Sequence, residues 1–205
     1  MTTIKTEVTQ LVLHSLPDAE TPMPEHAGRL DLLRVRTIPL AFYRYLYRVG
    51  RPHHWTSRCL GDRELAREVH APNVRLQVLY CDGAPAGWFE LDVGRAPRQT
   101  RLVHFATMPE FRGRGLARFL LSKAITAGFE DGPNGLVVET NTLDHPAALP
   151  LYRKMGFRPL SVREVVTIGF TDPEADDDGL SSPSGRAAPG CLLYTSDAAD
   201  EGLGV

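Results

Sequence analysis

The chain is expected to fold as a mixed α/β sheet, and three observations carry that expectation. Seven short stretches are apolar in runs or in alternation, as strands require. Four longer stretches place apolar residues at helical spacing. Their order is several strands in succession and then strand, helix, strand, helix, strand, with no internal repeat. At 205 residues and 42% hydrophobic content, the chain suits one well-packed domain and is short for two.

Taken in order, strands are predicted at Val8–His14, Leu30–Val35, Leu76–Tyr80, Gly87–Val93, Arg101–Thr107, Gly135–Thr140 and Val162–Ile168. Helices are predicted at Leu40–Val49, Asp62–His70, Gly115–Phe129 and Ala147–Met155, the last two closed by glycine-containing turns at "AGFEDGPNG" and "KMGF". The "CDGAPAG" loop, Cys81–Gly87, reads as a hairpin connection between antiparallel strands. From Thr171 the text turns to "TDPEADDDGLSSPSGRAAPG", whose few large apolar residues cannot offset the entropy of ordering it. A single domain over 1–170 followed by a disordered tail over 171–205 is therefore expected. Within that tail "CLLYTSDAADE", Cys191 to Glu201, is what a transposase-type sequencing adapter encodes in one frame. It is read as a translated artefact, so that the native C-terminus is missing and Cys191 and Tyr194 carry no functional weight.

The net charge of −2 hides an asymmetry: the tail carries eight acids against one arginine, which leaves the rest of the chain at +5. A mildly basic domain suits an anionic small molecule and falls short of the basic stripe of a nucleic-acid binder. The three cysteines, Cys59, Cys81 and Cys191, are widely spaced and lack a metal-ligand pattern, so neither a disulfide framework nor a metal site is expected. No apolar window is long enough for a membrane span and the N-terminus lacks the layout of a secretory signal, so the expected location is cytoplasmic.

The most informative stretch is "MPEFRGRGLARFLLSKAI", Met108 to Ile125. Amides at the start of a helix have no intrahelical acceptor, and the helix dipole adds partial positive charge there, so the first turn of the predicted Gly115–Phe129 helix is ready to take an anion. Gly113 and Gly115 let the backbone approach closely, and Arg112 and Arg114 can add charge-assisted hydrogen bonds of roughly 1.5–3 kcal/mol each. A phosphate or diphosphate is the ligand this favours. A glycine-rich turn with solvated arginines would show the same spacing, but context sharpens it: the strand "RLVHFATM" precedes, the strand "GLVVET" follows, and then comes "DHPAALPLYRKMGF". The spacing fits neither GxxxxGK[ST] nor GxGxxG, which disfavours nucleoside triphosphates and dinucleotides.

On these residues, Met108–Ala117 together with Ala148–Phe157, the chain resembles the acyl-CoA-binding core of the GNAT superfamily of N-acetyltransferases over about residues 28 to 168. Within it the chain is similar to bacterial members with an "FYRYLY" helix, here Phe42–Tyr47, and a "LDHPAALPLY" segment, here Leu143–Tyr152. The resemblance implies a mainly antiparallel central sheet with helices on both faces. It implies acetyl-CoA as co-substrate, with the amides of Arg112, Gly113, Arg114, Gly115, Leu116 and Ala117 on the diphosphate and main-chain groups of Thr107 and Met108 on the pantetheine arm. The cleft it implies arises where the Arg101–Thr107 strand splays from the Gly135–Thr140 strand, and a bulge would free main-chain groups for that purpose.

Acetyl transfer to an amine needs a neutral nucleophile, a stabilised oxyanion and a proton for the departing thiolate. Tyr152, at the position where the family carries a tyrosine facing the CoA sulfur, is the candidate proton donor; the alternative is a tyrosine packing beneath the sheet. Many relatives place a glutamate on the strand before the glycine turn, and "TRLVHFATM" has none. His104, on that strand, and Glu90, on the neighbouring one, are the candidate bases, each with a plain hydrogen-bonded role as the alternative. Alternation puts His104 on a face with Leu102 and Ala106, and Glu90 with Trp88 and Asp92. Where the family often has an asparagine contacting the CoA arm this chain has His145, with Asn141 slightly earlier; His145 either replaces that contact or simply starts a helix, with Asp144 as its cap and Pro146 in its first turn.

The acceptor wall implied by the resemblance reads "AFYRYLYRVGRPHHWTSR", Ala41–Arg58, and offers Tyr45, Arg48 and Trp55 as substrate-binding candidates. Its arginines, Arg44, Arg48, Arg51 and Arg58, suit an anionic acceptor. Against that, Phe42, Tyr45, Leu46 and Val49 fit a core-facing stripe. The partner expected is a small-molecule or peptide amine, with no nucleic acid and no membrane, and with the protein a monomer or homodimer. A non-catalytic acyl-CoA sensor is the alternative function.

Overall fold

Alternating apolar residues draw seven segments into one sheet, with the helices dealt to its two faces. The computed structural model describes residues 2–19, 21–25, 28–49, 60–95 and 98–169. In chain order the elements are β1 (Thr2–Leu13), β2 (Leu30–Val35), α1 (Leu40–Val49), α2 (Asp62–Val69), β3 (Val74–Cys81), β4 (Ala84–Arg95), β5 (Gln99–Thr107), a 3-10 turn at Pro109–Phe111, α3 (Leu116–Phe129), β6 (Gly135–Asn141), α4 (Ala148–Lys154) and β7 (Arg158–Gly169). The sheet order is β2-β3-β4-β5-β6-β1-β7. β5 and β6 run parallel and the other neighbours antiparallel. Trp55, and the stretch expected to form a tail with its adapter-like run, lie outside the described residues.

Each predicted strand and helix is present, and the differences lie at the ends. The expected loop Cys81–Gly87 narrows to the two-residue turn Asp82-Gly83, because pairing continues to Cys81↔Ala84. β1 and β7 are longer than their apolar cores because they pair with each other from Thr2↔Gly169 to Val12↔Arg158. The first strand lies between β6 and β7, a placement that local pattern does not encode.

Two apolar layers hold the faces. On one, α1 and α2 deliver Tyr43, Leu46, Tyr47, Leu65 and Val69 onto Leu76, Val78, Trp88 and Ala106. On the other, α3 and α4 deliver Leu116, Leu120, Leu121, Ile125 and Tyr152 onto Phe89, Leu91, Leu102, Leu136 and Val138. Each such side chain is worth roughly 1.5–3 kcal/mol when fully buried. Gly87 lets α3 approach: a Cβ there would stand 2.8 Å from Leu120 Cδ2 and 2.9 Å from the Ala106 carbonyl. Among the described residues no helix is long and apolar enough to cross a membrane.

Candidate active site

A cleft opens where β5 leaves β6. Their pairing runs from Gln99↔Gly135 to Leu102↔Val138 and then stops. On the other side of β5 the register with β4 shifts by one between Glu90↔His104 and Leu91↔Leu102, so Val103 is the extra residue of a bulge. The bulge bends β5 away from its parallel neighbour. The space left, about 530 Å³, is lined by Val103, Phe105 and Thr107 of β5, Val138 and Glu139 of β6, the turn before α3, and the loop into α4.

The ladder phase decides which main-chain groups face the cleft. The Met108 amide donates to the Ala86 carbonyl at 2.9 Å, so Met108 forms a hydrogen-bonded pair with Ala86. Two residues apart along an antiparallel strand, groups point the same way. Thr107 and Phe105, in the alternate pairs with Gly87 and Phe89, therefore turn N–H and C=O toward the cleft. Met108 has both groups occupied, since its carbonyl accepts from the Phe111 amide at 3.0 Å. The structure thus brings the main chain of Thr107 into the cleft, not that of Met108, and adds Phe105, which sequence reasoning missed because the phase of a ladder is a tertiary property.

The glycine-arginine turn closes one end. The Arg112 amide donates to the Pro109 carbonyl at 3.2 Å and is already engaged. Gly113 and Gly115 sit at φ 75° and 77°, the left-handed region that glycine enters without penalty. The Phe119 amide takes the Gly115 carbonyl at 3.4 Å, which leaves the Leu116 and Ala117 amides without an intrahelical acceptor. A Cβ at Gly113 would meet nothing within 4 Å, so the bend is open. Arg112, Gly113, Gly115, Leu116 and Ala117 all line the cleft. Arg114 instead lies over the Phe111 ring, 5.1 Å from its centroid. Open amides, a positive helix end and an exposed arginine fit a diphosphate, and the carrier implied by the resemblance would be held there by these groups.

Tyr152 forms part of the opposite wall. It is buried, with its ring edge-on to Phe105 and Phe157 at 6.4 and 5.7 Å. Burial, and then the Asp144 carboxylate, push its phenol above the ordinary value near 10, so it stays protonated and able to donate. Asp144 Oδ2 accepts from the Thr140 hydroxyl at 2.8 Å and the Asn141 amide at 2.9 Å, and Asn141 Oδ1 accepts from the Leu143 amide at 2.8 Å. These bonds shape the turn leaving β6. His145 lines the cleft while its Nδ1 accepts from the Ala147 amide at 3.2 Å; the ring, rather than Asp144, serves the entry to α4. Asn141 is not among the residues lining the cleft.

Glu90 and His104 meet on the α1/α2 face. The Tyr43 hydroxyl donates to Glu90 Oε2 at 2.8 Å and lies 3.4 Å from His104 Nδ1, which is 3.5 Å from Glu90 Oε1. The rings of Tyr47 and Trp88 stand 5.3 and 5.6 Å from the imidazole. The His104 and Glu90 side chains are 11% and 8% exposed, so His104 is the slightly more accessible of the two. Burial, followed by Glu90, drives the Tyr43 phenol far above its ordinary value, which fixes it as a donor. The bulge breaks the alternation expected of β5: Leu102 packs with the α3/α4 core, while His104 faces the same way as Ala106 and Glu90. Sequence reasoning missed Tyr43: the stripe it read as core-facing was Phe42, Tyr45, Leu46 and Val49, whereas the structure buries Leu46 together with Tyr43 and Tyr47. Tyr45 is 46% exposed and stacks on Phe42 at 6.2 Å, and Arg48 is also exposed; the structure keeps both away from this cluster. Arg44 is bound to Asp62 at 2.7 Å and to the Leu60 carbonyl at 3.1 Å.

Solved structures with the same fold include a GNAT-family protein from Novosphingobium aromaticivorans (18% identity, TM-score 0.55, 80% of this chain and 64% of that one). They include a GCN5-related N-acetyltransferase from Sphaerobacter thermophilus (15%, 0.53, 79% and 50%). An aminoglycoside acetyltransferase from an uncultured soil metagenomic sample, in complex with trehalose, matches with 15% identity and a TM-score of 0.50, over 62% of this chain and 87% of that one. The chain thus spans half to two thirds of the length of the first two. At such identities the likeness is one of fold. No curated protein matches the chain. The acetyltransferase (GNAT) family profile matches residues 35–157, a span that holds the bulged strand, the glycine-arginine turn and Tyr152, and the chain belongs to that family.

Proposed function

We propose that the protein is an N-acetyltransferase that moves an acetyl group from acetyl-CoA to a primary amine by direct attack in a ternary complex. The observation that carries this reading is the cleft itself: main-chain groups of Phe105 and Thr107 on one wall, open amides at one end, and a protonated Tyr152 on the far wall. Bound acetyl-CoA would supply a thioester. The amides of Gly113, Leu116 and Ala117, with Arg112, bind its diphosphate, and Phe105 and Thr107 align the pantetheine arm as an added strand.

The amine nitrogen forms the new C–N bond as the C–S bond breaks. His104, backed by Glu90, takes the proton the nitrogen gives up; Tyr152 donates a proton to the departing sulfur. Burial of Glu90 argues that it works through His104, with Tyr43 orienting both. Isothermal titration with acetyl-CoA, followed by thiol-release assays over a panel of amines, tests the reading. Binding with amine-dependent thiol release is expected. Binding without turnover by any amine would make the protein an acyl-CoA sensor, and no binding at millimolar acetyl-CoA would remove the proposal.

A further inference from the structure

Among the described residues, α1 and α2 pack on only part of their face of the sheet. Its apolar layer draws on β3, β4 and β5; among the described residues β6, β1 and β7 contribute nothing to it. What they present there follows from register. Leu91 and Leu102 pair and both belong to the opposite core, so the next pair, Asp92↔Arg101, turns to this face. Val138 also belongs to that core, so Glu139 turns here as well. The pairs Gln10↔Glu139, Gln10↔Ser161, Val8↔Arg163 and Val12↔Arg158 then place Ser161, Arg163 and Arg158 beside it.

The contacts agree with the register. Arg101 and Arg163, from β5 and β7, each donate to Glu139 at 3.0 Å, one to each carboxylate oxygen, and Ser161 donates to Gln10 at 3.2 Å. Asp92, across the ladder from Arg101, accepts from Asn73 at 2.6 Å. Glu139 is also a wall of the cleft, whereas Tyr152, Leu116 and Ala148 reach the cleft from the other face. The cleft is therefore a passage through the sheet, and a carrier seated on the α3 turn leaves this face as the approach for the acceptor. On this face stand three arginines, Arg101, Arg158 and Arg163, against two acids, Glu139 and, across the ladder from Arg101, Asp92. Each bridged guanidinium keeps further N–H donors, and the Arg101, Arg163 and Glu139 side chains are 33%, 48% and 23% exposed.

We infer that the acceptor carries a carboxylate besides its reactive amine, and that Arg101 and Arg163, held apart by Glu139, bind it; this rests on the acetyl-transfer reading above. One carboxylate on this pair balances the three guanidiniums with three anions, Glu139, Asp92 and its own, while an ammonium on Glu139 would leave the face at four cations to two anions. A planar fork meeting a carboxylate in two parallel hydrogen bonds also fixes the acceptor's orientation, with its amine toward His104 on the same strand.

The test uses amines that differ only in the carboxylate: lysine against cadaverine, and phenylalanine against phenethylamine. Thiol release from acetyl-CoA is followed with the full chain and with Arg163→Gln and Arg163→Lys. The carboxylate-bearing member is expected to be favoured in kcat/KM by tenfold or more in at least one pair. Arg163→Gln should cut that ratio about tenfold, the size of one charge-assisted hydrogen bond, and Arg163→Lys should restore part of it. A ratio near one in both pairs, a ratio unchanged in Arg163→Gln, or a preference for the carboxylate-free amines, which would assign Glu139 to an ammonium, overturns the inference. Should none of these amines react, N-acetylphenylalanine and N-acetylphenethylamine are titrated onto CoA-saturated protein. Tighter binding of the first, weakened in Arg163→Gln, sustains the inference; equal or absent binding overturns it. Loss of acetyl-CoA binding itself is read separately in the first titration and strikes the transfer reading instead.

Discussion

On the α3/α4 face the groups turned into the cleft are mostly main chain: the amides of the glycine-arginine turn and the peptide groups of Phe105 and Thr107. On the α1/α2 face the polar groups are side chains, Tyr43, Glu90 and His104 in one cluster and Arg101, Glu139 and Arg163 in another, and of these six only Glu139 lines the cleft. Main-chain groups can recognise a constant carrier whatever side chains surround them. Side chains can be exchanged one at a time without disturbing the strand that bears them. In the proposed transfer one face would serve the carrier, which does not vary, and the other the acceptor, which does.

Tyr152→Phe should break the comparison most visibly, because it removes a proton donor from the main-chain face while keeping the ring contacts to Phe105 and Phe157. The expected result is a fall in kcat of about 10²-fold or more with acetyl-CoA affinity nearly unchanged, read by thiol release and titration. His104→Gln removes the proposed base from the other face. It should lower kcat by roughly 10–100-fold with acetyl-CoA affinity unchanged, read by thiol release and titration.

Gly115→Ala tests the main-chain face directly. A left-handed φ costs an alanine about 1–2 kcal/mol, while the new Cβ meets only Pro24 at 3.6 Å, an ordinary contact. Thermal melts should therefore show a modest loss, whereas acetyl-CoA binding should weaken tenfold or more because the amides are re-aimed. Tyr43→Phe tests the side-chain face. Losing its bond to a buried carboxylate should cost roughly 1.5–3 kcal/mol. Tyr43 and Tyr152 both hold their protons far above the ordinary phenol value, so the stability they confer is complete below about pH 10 and is lost as pH rises beyond it, where unfolded tyrosines ionise. Melts between pH 8 and 11 should show that alkaline loss in the wild type and a shallower one in Tyr43→Phe. The smallest effect is expected of Tyr45→Ala, within about 0.5 kcal/mol of stability, since the ring is exposed and, among the described residues, stacks on Phe42.

The seven strands and four helices were legible because each depends on the period of its own apolar residues. The open turn from Arg112 to Ala117 was legible for the same reason: a glycine pair before an amphipathic helix leaves amides without acceptors within a few residues, and five of those six residues line the cleft. Alternation failed at Val103, since a bulge inserts one residue and reverses every face assignment beyond it. The resemblance placed the main chain of Met108 on the pantetheine arm, whereas the structure bonds its amide to Ala86 on another strand. The core-facing stripe read on α1 held for Leu46 but not for Tyr45, because packing against Trp88 turns Tyr43 and Tyr47 inward instead.

By itself the sequence determined where chain segments become strands and helices, and that a glycine-arginine turn leads into the third helix. These depend on forces between residues near one another in the chain. Only the tertiary structure decided that Tyr43 reaches Glu90 and His104, and that arginines 62 positions apart, Arg101 and Arg163, share one glutamate. The reason is physical: strand order and register bring such residues together, and both are set by how the whole sheet buries its two faces rather than by any stretch of sequence alone.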